Sequence, residues 1–122
     1  MEITSDIRLL LLDIGIPANF LGFTYIVYAV HLVMDTNDCN CRMTKQLYIE
    51  TAQHFNTTQV AVERCMRSAI AACMEYGCRD LIEQIFRNSI NPKKGIPTNS
   101  QFITSLCLYV ARQQPKPLEI AQ

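Results

Sequence analysis

The chain has 122 residues, of which 49% are hydrophobic and 18% charged, enough apolar material to bury a core and too much for a disordered polypeptide. The formal net charge of zero by itself counts against a nucleic-acid partner, but the charges are unevenly divided. Residues 1–41 set Glu2, Asp6, Asp13, Asp35 and Asp38 against Arg8 alone, a net of −4, whereas residues 42–116 carry ten Lys and Arg against five acids, a net of +5. A polyanion would therefore meet the second half, although a mixed surface with a chance asymmetry gives the same counts.

In chain order, apolar residues recur at helical spacing, first as Ile7, Leu10, Leu11 and Ile14. This helix is expected to open at Ser5, a good cap, and to stop at Gly15 with Pro17 just beyond. A second helix, expected from Ala18 or Asn19 to Asp35, repeats the pattern with Ile26, Ala29, Val30 and Val33, and its length makes it the spine of the fold. Tyr25 and Tyr28 are expected to pack against neighbouring helices. Pro17, Asn19, Gly22 and His31 interrupt the apolar stretch 14–34, so no unbroken apolar run approaches the ~20 residues that span a bilayer, and a soluble, cytoplasmic protein with no membrane partner is expected. After a polar loop at 36–42, Thr44 caps a third helix, and a fourth runs from about residue 58 to 76 with Gly77 as its C-cap. A fifth covers about 79–86. The segment 87–97, broken by Pro92, Gly95 and Pro97, is a loop, because Pro97 also steers Ile96 out of helix. Thr98 or Asn99 caps the last helix, with Phe102, Ile103, Leu106 and Val110 as its buried stripe, before a frayed tail over 113–122. The expected architecture is all-α: one compact six-helix domain over residues 1–122.

Residues 47–70, LYIETAQHFNTTQVAVERCMRSAI, carry the sharpest signal, since their spacing is that of a helix-turn-helix placed at about 44–76. A small residue, Ala52, stands where the two helices cross. Four residues on, Asn56 tolerates the left-handed backbone that the turn needs. Phe55, Val62 and Cys65 are apolar where the helices share a buried face. Thr57 and Thr58 both offer caps, and if Thr58 serves, Ala61 stands where Glu or Gln would complete a capping box. An ordinary helical hairpin has the same features, so the outward face decides between them.

If Val62, Cys65, Met66, Ala69, Ile70 and Cys73 face inward, the outward face holds Gln59, Val60, Glu63, Arg64, Arg67 and Ser68. A recognition helix puts its first turns into the major groove, where Gln pairs with adenine, Glu accepts from cytosine, and Arg takes guanine or phosphate. Gln59, Val60, Ala61, Glu63 and Arg64 are then the base-facing candidates. Thr57, Thr58, Arg67 and Ser68 are phosphate candidates, together with Lys93 and Lys94 before the last helix and Arg42 and Lys45 at the start of the third. The competing reading is a solvated face with Glu63 and Arg67 paired at i, i+4.

The six cysteines, at 39, 41, 65, 73, 78 and 107, contain no Cys-x-x-Cys pair and do not read as a zinc site or disulfide framework. Cys65 and Cys73 look like small core residues, and Cys39 and Cys41 fall in a loop where they could be reactive. His31 and His54 sit in separate helical patterns and read as structural or surface residues. No phosphate loop, carboxylate pair with a histidine, or nucleophile with a nearby base is found, so neither catalysis nor a cofactor is expected.

With these motifs placed, FNTTQVAVERCMRSAI at 55–70, IPTNS at 96–100 with Phe102, LLDIGIPANFLGFTY at 11–25, and Leu47, Tyr48, Ala52 and Phe55 together resemble the C-terminal effector domain of the master sporulation response regulator of endospore-forming bacteria. The resemblance runs from about Asp6 to Ala111. It implies a six-helix transcription-regulator domain that binds a short box of double-stranded DNA and contacts an RNA polymerase sigma factor. A homodimer on DNA is compatible with it, and the oligomeric state stays open. It further implies DNA contacts for Glu63, Arg64 and Arg67, and a backbone contact for Lys93 or Lys94. The chain departs from the family pattern where Val60 and Ala61 replace a Ser-Arg pair whose Arg reads guanine, a contact worth about 1–3 kcal/mol of discrimination. Ser68 and Asn19 each replace a histidine. These departures favour either a divergent reader of another box or a protein-interaction module of the same fold. The receiver domain that normally precedes this one cannot fit within 122 residues, so a stand-alone protein or a fragment is expected.

Overall fold

A computed structural model describes residues 3–35, 45–86 and 96–113. The expected loop with Cys39, Cys41 and Arg42, the Thr44 cap, Lys93, Lys94 and the tail lie outside the described residues. Among the described residues six helices are present: α1 (Ile3–Ile14), α2 (Leu21–Asp35), α3 (Lys45–His54), α4 (Gln59–Tyr76), α5 (Arg79–Phe86) and α6 (Asn99–Gln113). The described residues form no strand. One hydrophobic cluster joins all six, from Ile7, Leu11 and Ile14 through Phe23, Ile26 and Val30 to Met66, Ile70, Phe102 and Leu106.

Helix α2 packs on α1, α3, α4 and α6, most extensively on α4, which makes it the spine that its length implied. Gly22 allows this closeness. A Cβ at that position would stand 2.2 Å from the Cys65 carbonyl oxygen and 2.7 Å from the Ala69 methyl. Farther along, Tyr25 meets the Phe55 ring with centroids 5.3 Å apart, and Tyr28 stacks on His54 at 4.1 Å. These rings pin α3 and the turn after it to α2.

Two helix starts differ from expectation. Helix α1 begins at Ile3, so Ser5 lies inside it rather than capping it; serine is tolerated within a helix, and a cap residue marks a start only weakly on its own. Helix α2 begins at Leu21, later than Ala18 or Asn19, because those residues form a turn closed by the Phe20 N–H donating to the Pro17 carbonyl, 3.1 Å.

The helix ends follow backbone chemistry closely. Gly15, at φ 108°, closes α1 with a paired arrangement: its N–H donates to the Leu12 carbonyl and that of Ile16 to the Leu11 carbonyl, 3.1 and 3.0 Å. Gly77 caps α4, its N–H donating to the Cys73 carbonyl, but its φ of −77° is not left-handed. Space explains this glycine instead, since a Cβ there would lie 2.2 Å from the Ile14 carbonyl oxygen. The same oxygen accepts from the Cys78 N–H at 3.1 Å, locking the end of α1 to the end of α4.

Among the described cysteines, Cys73 and Cys107 are buried, Cys65 is half-buried and Cys78 exposed. Burial pushes the Cys73 thiol up to about 11, against a smaller downward pull from Arg79. It is thus a protonated packing group, its Sγ 3.8 Å from the Ile14 carbonyl. Among the described residues no cluster of three or more His, Cys, Asp or Glu could hold a metal ion, and no helix is long and apolar enough to cross a membrane.

Candidate nucleic-acid interface

The turn between α3 and α4 is built as the Asn56 position required. Asn56 has φ 57°, its N–H donates to the Gln53 carbonyl, and the Thr57 N–H donates to the Ala52 carbonyl, 3.3 and 2.9 Å. This is the same closing arrangement as at Gly15, with asparagine in the left-handed place. The chain leaves it at Thr58, whose hydroxyl accepts from the Ala61 N–H at 3.1 Å and caps α4. No Glu or Gln returns the bond, as Ala61 implied. Ala52 is buried at the crossing.

The inward stripe of α4 is Val62, Met66, Ala69, Ile70 and Cys73, all fully buried, with Cys65 half-buried at its margin. Of the base-facing candidates, Val60 and Arg64 are exposed, whereas Gln59, Ala61 and Glu63 are half-buried. Of the phosphate candidates on this element, Thr58, Arg67 and Ser68 are exposed and Thr57 is half-buried. Lys45 opens α3. Thr57 and Thr58 thus lead into α4, whose first three turns carry Gln59, Val60, Ala61, Glu63, Arg64, Arg67 and Ser68, whereas Arg42, Lys93 and Lys94 lie outside the described residues.

Arg67 Nη2 donates to Glu63 Oε2 at 3.0 Å. The pair is largely solvated, so it contributes only about 0.3–0.5 kcal/mol to the helix. It does hold the Glu63 carboxylate against a guanidinium, leaving Arg64 as the exposed cation of the leading turns with no ion pair among the described residues.

One residue outside the helix-turn-helix, Asn99, holds this face in place, and its role is not apparent from sequence. Asn99, almost fully buried, donates through Nδ2 to the Tyr48 hydroxyl at 3.1 Å and to the Glu63 backbone carbonyl at 3.3 Å. The start of α6 is thereby tied to α3 and to the second turn of α4. Asn99 is free to turn inward because Thr98 does the capping: its hydroxyl accepts from the Gln101 N–H, and the Gln101 side-chain oxygen accepts from the Thr98 N–H, 3.1 and 2.9 Å. This reciprocal Thr-x-x-Gln box was legible in the sequence and would have freed Asn99 for another role. Asn99→Ala is expected to lower the unfolding free energy by about 1–2 kcal/mol, read from the urea midpoint; an unchanged midpoint would show the bridge to be dispensable.

A family model described as Sporulation initiation factor Spo0A C terminal matches residues 7–110 of the chain. That span starts at the buried Ile7 of α1 and ends at the buried Val110 of α6.

Proposed function

The chain belongs to the sporulation initiation factor Spo0A C-terminal family, a DNA-binding regulatory rather than enzymatic family, and from this we propose that it is a sequence-specific transcription regulator whose α4 reads the major groove. The observation that carries the reading is the exposure of Arg64 and Arg67 on the leading half of α4, directly after a capped turn of the helix-turn-helix kind. Helix N-termini also favour phosphate, which suits Thr57 and Thr58, and Arg67 and Ser68 complete a phosphate-facing rim. Lys45, Arg42, Lys93 and Lys94 belong to the same proposal as flanking backbone contacts. So do an RNA polymerase sigma factor as partner, which the family pattern implies, and a pair of copies on DNA, which is compatible with it.

A second reading is favoured by one observation: Val60 is 60% exposed, and an apolar residue at that place also suits a protein contact. Mobility-shift selection from a randomised duplex pool, followed by salt titration, separates the two. A reader yields an enriched box whose affinity falls steeply with salt. Recovery of no duplex at low salt would refute DNA reading and leave the interaction module.

A further inference from the structure

We propose that Val60 is a specificity determinant that reads the C5-methyl group of a thymine in the major groove; the assignment rests on α4 being the reading helix. Exposed aliphatic side chains are common singly on protein surfaces, so exposure alone carries nothing. What distinguishes Val60 is the state of its neighbours. The Thr58 hydroxyl is committed to the Ala61 N–H, the Glu63 carboxylate to Arg67, and Gln59 and Ala61 are half-buried. On the first two turns of α4 the exposed groups with no partner among the described residues are therefore one branched aliphatic, Val60, and one guanidinium, Arg64.

These two lie four residues apart and so share a stripe of the helix. Their separation along the axis is about 6 Å, and base pairs rise about 3.4 Å per step, so both fall within about two base steps of each other. The apolar feature that base edges display in the major groove is the thymine methyl, whereas guanine offers the paired acceptors that suit Arg. A valine laid on a cytosine edge would cover a polar amino group and return nothing for its lost water. A valine on a thymine methyl removes apolar surface on both sides. The leading end of α4 is thus built for a box with a thymine within two steps of the base that Arg64 contacts.

The test uses the full chain and duplexes selected from a randomised pool, with each thymine of the recovered box replaced in turn by deoxyuridine, which deletes only the methyl. At one position the replacement is expected to weaken binding about 3- to 5-fold, and Val60→Ala, its fold checked by circular dichroism, is expected to lose that sensitivity while keeping the others. At that position 5-methylcytosine is expected to bind better than cytosine. Equal deoxyuridine profiles for the two proteins would overturn the assignment, and that is the outcome if Val60 instead contacts a protein. If duplexes bind and depend on Arg64 yet no thymine couples to Val60, the Val60 assignment alone falls. If no duplex is recovered, the DNA-reading proposal falls and takes this one with it.

Discussion

Replacing Arg64 and Arg67 together by alanine is expected to weaken duplex binding about a hundredfold or more near physiological salt, with almost no change in stability. The first half follows from what the two guanidiniums would do. A bidentate contact to guanine is worth about 1–3 kcal/mol, a phosphate contact adds a further increment, and each 1.4 kcal/mol is about tenfold in affinity. Loss of Arg67 also frees the Glu63 carboxylate, 3.0 Å away in the intact protein, to face a polyanion with its charge uncompensated. The second half follows from exposure: Arg67 is 62% exposed, Arg64 is exposed, and surface pairs of this kind contribute a few tenths of a kcal/mol. Fluorescence anisotropy over a salt series reads both the affinity and the slope of log K against log salt. That slope should shrink by about 0.9 for each phosphate that the variant no longer neutralises. Wild-type binding by the double variant would remove α4 from the interface.

The parts of this chain that could be read in advance are those fixed by local chemistry. Asn56 announced a left-handed turn because few other residues tolerate one, and its φ of 57° follows. The inward stripe of α4 was legible since 3.6-residue periodicity places Val62, Met66, Ala69 and Cys73 on one side. The same geometry leaves Val60, Arg64, Arg67 and Ser68 on the other. Helix starts at Ser5 and at Ala18 or Asn19 were misplaced because residues that cap helices, such as serine and asparagine, also serve inside helices and turns. Asn99 and Gly22 were not legible for a different reason: each is defined by a partner far off in sequence. The Asn99 bonds span 51 and 36 residues, and Gly22 answers to the backbone of α4. Gly77 shows both cases at once, since its position as a cap was legible from the helix end and its need for space came from Ile14.

Gly22→Ala is expected to destabilise the fold by about 2–3 kcal/mol, although helix propensity alone would favour alanine by about 0.5–1 kcal/mol. The added Cβ would stand 2.2 Å from the Cys65 carbonyl oxygen, 2.9 Å from its carbonyl carbon and 2.7 Å from the Ala69 Cβ. Two of those three atoms are backbone within α4 and cannot turn aside as a side chain would. Relief requires α2 and α4 to part by about 1 Å along their contact, toward the 3.5–4.0 Å of ordinary carbon packing, and overpacking of this kind costs about 3 kcal/mol. The melting temperature should fall by roughly 10 °C in calorimetry. Adding Ala69→Gly removes only the methyl contact, so the double variant is expected to recover part of the loss at most, with the carbonyl clash remaining. Because Cys65 directly follows Arg64 in α4, the same displacement shifts the leading turns, and duplex affinity should drop even at temperatures where the variant is fully folded. A Gly22→Ala protein as stable as the wild type, or more so, would mean that propensity outweighs the clash and that α2 does not approach α4 this closely.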